Sequence, residues 1–124
     1  GAETIAEALR TYFGFDEITF VVGILGDKDA RGVIRALAPV ATQFFVTRPD
    51  SERAREAEDF GDLVREEVGD EATIVYSDAV DALEAAREWA AEEPRRAVVV
   101  AGSIVLVGQA MAYADQQEWK QAAS

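Results

Sequence analysis

The sequence predicts an α/β fold, a three-layer, Rossmann-like sandwich around a mostly parallel sheet of about four to six strands. Short β-branched and aromatic runs alternate along the chain with helical segments of about ten residues or more. These runs are continuously apolar, as strands buried on both faces are. No repeat or linker interrupts the alternation. Such an order indicates parallel pairing through right-handed crossovers, which places helices on both faces of one sheet.

The first half of the chain contributes two predicted helices and two predicted strands. Apolar residues recur at helical spacing over residues 2–12, which predicts the first helix. Residues 18–24 form an apolar run of strand length and predict the first strand. Asp29 follows as the candidate N-cap of a helix that Pro39 helps to end. Residues 43–47 then predict the second strand.

The second half continues the alternation. Residues 52–68 predict a long charged helix, and residues 72–76 predict the third strand. Residues 78–93 predict the next helix, and residues 97–101 predict the fourth strand. Ser103 is then the candidate N-cap of a last helix that runs to about residue 116. The inward positions predicted on the two middle helices are Ala57, Phe60 and Val64, followed by Val80, Leu83, Ala86 and Ala90.

Composition predicts a single domain over residues 1–124. A chain of 124 residues, 49% of them apolar, can bury a core without disulfides. Cysteine and histidine are absent, which excludes disulfides, Cys/His zinc sites, thiol nucleophiles and a histidine general base. The longest uncharged apolar run, residues 97–107, is too short to cross a bilayer. We therefore expect a soluble, cytoplasmic protein.

The charge of the chain is strongly negative. Twelve Lys and Arg residues against 24 Asp and Glu residues give a net charge of −12 at pH 7. Such a field repels nucleic acid and anionic membrane surfaces, so neither is expected as a partner. Lys28 and Lys120 are the only lysines. An acid-rich, lysine-poor surface is typical of a protein adapted to high salt, where counterions screen the self-repulsion. The alternative is an ordinary acidic domain.

Ligands of an open parallel sheet bind beside the carboxyl ends of its strands. Four segments are predicted to meet at that edge: residues 26–29, 47–51, 77–78 and 102–103. Each leads into a helix N-terminus, whose free amides and dipole favour carboxylates and phosphates. The edge is therefore predicted to bind an anionic ligand.

The first of these segments holds a lysine between two aspartates. Lys28 could offer a fixed cation to a carboxylate, with Asp27 and Asp29 on either side. The glycine spacing fits neither G-x-G-x-x-G nor a phosphate-cradling P-loop. In the simpler interpretation Asp29 caps a helix, Asp27 is a turn residue and Lys28 is solvated. The residue types alone leave both interpretations open.

Two other segments offer arginines and hydroxyls. Arg48 and Arg53 could clamp an anionic group, and the Thr47 hydroxyl could donate to it. Equally, this segment could be a turn entering a helix whose arginines pair with neighbouring carboxylates. Ser103 follows Gly102 at a helix start, either as a plain N-cap or as a ligand contact where small residues bring the backbone close. No nucleophile has a basic partner, so these residues indicate an anion-binding module and not a complete enzyme.

Four strings carry a resemblance to a known family. They are V-V-G-I-L-G-D-K-D (21–29), A-L-A-P-V-A (36–41), T-R-P-D-S-E-R-A (47–54) and V-V-V-A-G-S-I-V-L-V-G (98–108). In this order they closely resemble the C-terminal domain of folylpolyglutamate synthase/dihydrofolate synthase, a family of Mur ligase-type amide ligases.

The resemblance implies a domain that accepts glutamate in a ligase dependent on ATP and Mg²⁺. Such an enzyme joins glutamate to a folate or dihydropteroate carboxylate through an acyl phosphate. The family's P-loop and most of its metal ligands lie in an N-terminal ATPase domain, which is absent from this sequence. We therefore expect this domain alone to be inactive and to bind neither ATP nor Mg²⁺, with the ATPase domain of the same protein as its partner.

By the same resemblance, Lys28 (with Asp27), Thr47 and Ser103 match positions that help to hold the incoming amino acid. Arg53 resembles the arginine of a comparable Mur ligase loop, a weaker match. Two alternatives from other classes stay open. One is a free-standing Rossmann-like module that binds an anion or nucleotide for regulation. The other is a purely structural or interaction domain.

Overall fold

The alternation of strands and helices is seen in a computed structural model that describes residues 15–26 and 29–119. The strands are β1 (Glu17–Gly23), β2 (Gln43–Val46), β3 (Thr73–Val75) and β4 (Arg96–Gly102). The helices are α1 (Ala30–Leu37), α2 (Ala57–Val68), α3 (Ala79–Glu92) and α4 (Ile104–Gln116), with a 3-10 turn at Ala38–Val40. The helix predicted over residues 2–12 lies outside the described residues.

The four described strands form one sheet in the order β3-β2-β1-β4, and every pairing is parallel. Along the central strand β1, Val22 pairs with Val46 of β2, and Gly23 pairs with Gly102 of β4. The predicted, mostly parallel sheet is thereby confirmed. Because parallel strands run in one direction, the carboxyl ends of all four meet at the same edge.

Helices cover both faces of the sheet, which confirms the three-layer prediction. On one face, α1 and α2 pack over a core that includes Ile18, Phe20, Val22, Ile34, Leu37, Phe44, Phe60 and Val64. On the other face, α3 and α4 pack over Val21, Phe45, Ala82, Leu83, Ala86 and Ala110. Alternate residues of β1 and β2 thus serve opposite cores, as the two-residue period of a strand requires. Among the described residues, no helix has both the length and the apolar character of a membrane span.

Side-chain caps start three of the helices. The carboxylate of Asp29 accepts a hydrogen bond from the amide of Gly32 at 3.1 Å, which fixes the start of α1. Asp78 caps α3 in the same way. The hydroxyl oxygen of Ser103 accepts from the amide of Val105 at 3.1 Å and caps α4. The caps predicted at Asp29 and Ser103 are therefore confirmed.

The long charged helix predicted from residue 52 begins only at Ala57, so its predicted start is wrong. The residues before α2 form a turn and then pair with the chain that leaves β1. The amide of Gly26 donates to the carbonyl oxygen of Arg53 at 2.8 Å. The amide of Arg55 donates to the carbonyl oxygen of Ile24 at 2.9 Å. Backbone groups that a helix would bond internally are thus taken by a distant segment.

The inward face of α3 is rotated from the predicted one. Leu83 and Ala86 are buried as predicted, together with Ala79 and Ala82, but Val80 is 37% exposed. An alanine-rich helix has more than one face apolar enough to turn inward, so periodicity does not select between them. Small alanine side chains allow α3 to approach the sheet closely, which favours the alanine face.

Candidate functional site

The carboxyl edge of the sheet collects the described residues that the sequence singled out. Thr47 follows β2 directly, and Ser103 follows β4 directly. Arg53 lies in the segment of residues 47–56 that joins β2 to α2, which we call the β2–α2 loop. Asp27 and Lys28 follow β1 in the sequence and lie outside the described residues. The parallel topology therefore places the described candidate residues at the carboxyl edge, as predicted.

Two glycines let the ends of β1 and β4 approach closely. Gly102 has a φ of +109°, a left-handed conformation, and a Cβ placed on it would lie 2.5 Å from the carbonyl oxygen of Gly23. A Cβ on Gly23 would lie 2.8 Å from the carbonyl oxygen of Thr47. Both positions therefore require glycine. From the sequence, the close neighbour of Gly102 could have been a ligand. In the structure it is the backbone of β1.

Thr47 carries a buried hydroxyl that has no hydrogen-bond partner in the described part of the chain. The residue is 0% exposed, and its backbone amide donates to the carbonyl oxygen of Val22 at 2.8 Å. Its Oγ1 makes no hydrogen bond to any of the described residues. Leaving a buried polar group unpaired costs roughly 1–3 kcal/mol, and native proteins rarely do so. At this edge Thr47 therefore has a buried hydroxyl that no described group satisfies.

The arginines of the β2–α2 loop sit in a non-helical segment. Arg48 donates to the carbonyl oxygen of Ser51 at 3.3 Å, and its Nε lies 3.5 Å from a carboxylate oxygen of Glu56. Arg53 is exposed, and its amide donates to the hydroxyl oxygen of Ser51 at 3.2 Å. The helical spacing on which the ion-pair interpretation depended is absent from this loop. Arg48 therefore contacts other residues of the loop, whereas Arg53 is exposed to solvent.

Ser103 caps α4 through its hydroxyl oxygen, and a hydroxyl can also donate a hydrogen bond. The residue is 3% exposed, and its oxygen is the acceptor in the cap of α4. A serine hydroxyl can donate one hydrogen bond while it accepts another. The N-cap interpretation is therefore confirmed, and the same hydroxyl can also donate one hydrogen bond.

Tyr76 stands at the end of β3, on the same edge. Burial raises the pKa of its phenol, and the charge of Glu88 raises it further. The group is therefore neutral near pH 7, and its ring serves in packing. Its ring packs on Phe45 with centroids 5.3 Å apart.

Two cavities lie at opposite edges of the sheet. A cavity of about 240 Å³ at the carboxyl edge is lined by polar residues that include Arg48, Asp50, Asp78 and Gln109. Neither Thr47 nor Ser103 lines it. A larger cavity of about 500 Å³ lies at the amino edge, where parallel sheets do not bind their ligands. Among the described residues, no group of three or more side chains could hold a metal ion.

Gln109 is a residue of this edge that the sequence did not indicate. Its side-chain oxygen accepts a hydrogen bond from the backbone amide of Asp50 at 2.7 Å, which ties α4 to the β2–α2 loop. The two residues are 59 positions apart in the chain. A single glutamine on a helix belongs to no motif, so no sequence signal could have identified this contact.

Known proteins resemble this chain over most of its length. A family model described as Mur ligase, glutamate ligase domain, matches residues 1–104. The dihydrofolate synthase/folylpolyglutamate synthase of Mycobacterium tuberculosis is 31% identical over 121 residues. That match covers 89% of this chain and 25% of the relative.

Solved structures show the same fold. The folylpolyglutamate synthase of Mycobacterium tuberculosis, complexed with ADP and AMPPCP, matches with a TM-score of 0.82 and 32% identity over 90% of this chain. The folylpolyglutamate synthase of Thermotoga maritima matches with a TM-score of 0.71 and 26% identity over 96% of this chain. Each match covers 26% of the solved chain. This chain thus spans about a quarter of the length of these relatives.

Proposed function

The chain belongs to the Mur ligase family, as a glutamate ligase domain, and on that premise we propose that it is the C-terminal, glutamate-accepting domain of an ATP-dependent folylpolyglutamate/dihydrofolate synthase. In this proposal residues 1–124 are one domain of a longer protein and are inactive alone. Their partner is the ATPase domain of the same protein. The substrates are glutamate and a folate or dihydropteroate carboxylate.

Neither the sequence motifs nor the described residues of this chain fit the cofactors of such a ligase. The sequence contains no G-x-x-x-x-G-K-[ST] loop for a triphosphate. The part of the chain that the structure describes holds no cluster of metal-ligating side chains. We therefore assign ATP and Mg²⁺ to the partner domain and give this chain no role in holding them.

The role proposed for the carboxyl edge is to hold the incoming glutamate while its amine attacks the activated carboxyl group. Lys28, with Asp27 beside it in the sequence, supplies a cation for a glutamate carboxylate. The hydroxyls of Thr47 and Ser103 donate hydrogen bonds, and Arg53 adds a second positive charge. Charge-assisted hydrogen bonds of this kind are stronger than neutral ones. Fixing the amine at the reacting carbon replaces a bimolecular encounter by a step within one complex.

The position of two buried hydroxyls carries this proposal. Thr47 and Ser103 follow β2 and β4, the strands on either side of β1. Among the residues that the structure describes, the Thr47 hydroxyl has no hydrogen-bond partner, and the Ser103 hydroxyl is bonded only as an acceptor. Because buried polar groups are nearly always satisfied in native proteins, this pair supports a polar ligand between them. The alternative of a free-standing regulatory module is not favoured, since the matched relatives are ligases about four times longer.

Ser103→Ala tests the proposal in the full-length protein, assayed for ATP-dependent joining of glutamate to folate or dihydropteroate. The loss of a donor to the substrate should raise the KM for glutamate about fivefold, within the range of one hydrogen bond. Asp78→Ala is the matched control, because it also removes an N-cap. Both variants should lose about 1 kcal/mol of stability.

Only the serine variant is expected to change the KM. Equal KM values for Ser103→Ala and Asp78→Ala would show that Ser103 acts only as a helix N-cap. That result would contradict its proposed role in binding glutamate. A full-length protein that joins no glutamate in the presence of ATP would contradict the proposed function itself.

From composition, we further propose that the protein works in a salt-rich cytoplasm. Its net charge of −12 opposes the compact state at low ionic strength. Raising KCl from about 0.1 M to about 2 M should therefore raise the thermal unfolding midpoint, because the Debye length falls below ~3 Å. Circular dichroism measures the midpoint. A midpoint that is flat or falls with KCl would contradict salt adaptation.

A further inference from the structure

The β2–α2 loop is held from the side of β1 by backbone hydrogen bonds. Gly26 donates to Arg53, and Arg55 donates to Ile24, at 2.8 and 2.9 Å. These bonds form a short antiparallel pairing between the loop and the chain that leaves β1. The amide of Thr47 is fixed to β1 as well. On this side, the loop therefore keeps its position through backbone groups that no side-chain substitution removes.

On its other side the loop is held by a side chain. The amide of Asp50 donates to Oε1 of Gln109 at 2.7 Å. Gln109 lies on α4 less than two helical turns from Ser103, which caps that helix. The bond thus joins the loop that begins at Thr47 to the helix that begins at Ser103. These are the two segments whose hydroxyls carry the proposed glutamate site.

The hydrogen bond between Asp50 and Gln109 contributes little to the stability of the fold. Asp50 is exposed, so water can replace Gln109 as the acceptor for its amide at small cost to folding. What water cannot replace is the fixed distance between the loop and α4. Loss of Gln109 should therefore displace the loop without unfolding the domain.

We propose that Gln109 is a positioning residue for the glutamate site. It fixes the β2–α2 loop at Asp50 against α4 and so holds the loop residues that follow Thr47 beside the start of α4 at Ser103. This role rests on the proposed function, since it acts through the residues assigned to glutamate. Gln109 itself is not placed against the substrate.

Gln109→Leu tests the proposal, because leucine is similar in size and lacks the acceptor. In ¹H–¹⁵N NMR spectra of this 124-residue chain, the amide of Asp50 should exchange with water about fivefold faster or more. The amide resonances of Thr47 and Arg53 should shift. In the full-length protein, the KM for glutamate should rise about three- to tenfold with kcat nearly unchanged.

Two further variants separate positioning from general damage. Gln109→Glu keeps an acceptor oxygen and should restore the slow exchange of the Asp50 amide with water. Gln116→Leu makes the same change at the exposed end of α4 and should leave both this exchange and the KM unaltered.

The outcomes distinguish this proposal from the function on which it rests. A ligase whose KM for glutamate is the same in the wild type and in Gln109→Leu overturns the positioning role and leaves the proposed function intact. Spectra in which Thr47 and Arg53 do not shift overturn it as well, whatever the activity. A wild-type full-length protein without ligase activity overturns the proposed function, and with it any role of Gln109 in holding glutamate.

Discussion

Gly102→Ala is expected to lower the free energy of unfolding by about 3 kcal/mol or more. Two effects add at this position. The φ of +109° is strained for any residue with a Cβ, and that Cβ would lie 2.5 Å from the carbonyl oxygen of Gly23. Because the contact is with backbone, the strands β1 and β4 must separate at the edge where the proposed site lies. Thermal unfolding followed by circular dichroism should show a midpoint lower by about 10 °C.

Gly108→Ala is the matched control on the neighbouring helix. Gly108 lies inside α4, and a Cβ there would have no atom of the described residues within 4 Å. Alanine has the higher helix propensity, so this variant should gain up to about 1 kcal/mol. Opposite signs for the two substitutions support the close approach of β1 and β4. A Gly102→Ala variant as stable as Gly108→Ala would show that the two strand ends do not touch in solution.

Lys28→Ala in the full-length protein is expected to raise the KM for glutamate at least about tenfold, which corresponds to about 1.4 kcal/mol. The reason is electrostatic: the proposal gives Lys28 the cation that meets a glutamate carboxylate. The chain has only two lysines, and one of them stands between two aspartates in the segment that joins β1 to α1. Steady-state kinetics with glutamate as the varied substrate measure the effect.

Lys120→Ala removes the chain's other lysine and serves as the control for the loss of one positive charge. Its KM for glutamate should match that of the wild type. If Lys28→Ala also matched the wild type, Lys28 would be a solvated charge and Asp29 an N-cap without a neighbouring ligand site. That result would favour a structural role for the β1–α1 connection.

The sequence predicts well where the signal is local. The apolar runs of β1 to β4 lie within a few residues of the observed strands. The caps at Asp29 and Ser103 form as predicted, because a side chain bonds an amide two or three residues away. The same local signal misleads before α2, where arginines and glutamates have good helix propensity. That segment instead forms backbone hydrogen bonds with the chain that leaves β1. Helix propensity is a local property and does not include pairing with a distant segment.

By itself, the sequence determined the layered α/β fold, the edge at which the candidate residues meet, and the family resemblance. Those follow from patterns that a few neighbouring residues carry, together with the rule that parallel strands share one carboxyl edge. Only the tertiary structure decided the strand order, the burial of the Thr47 hydroxyl, the contact of Gly102 with Gly23 and the bond from Asp50 to Gln109. Each of these depends on which distant segments pack together, and packing is set by the whole core and by no local pattern.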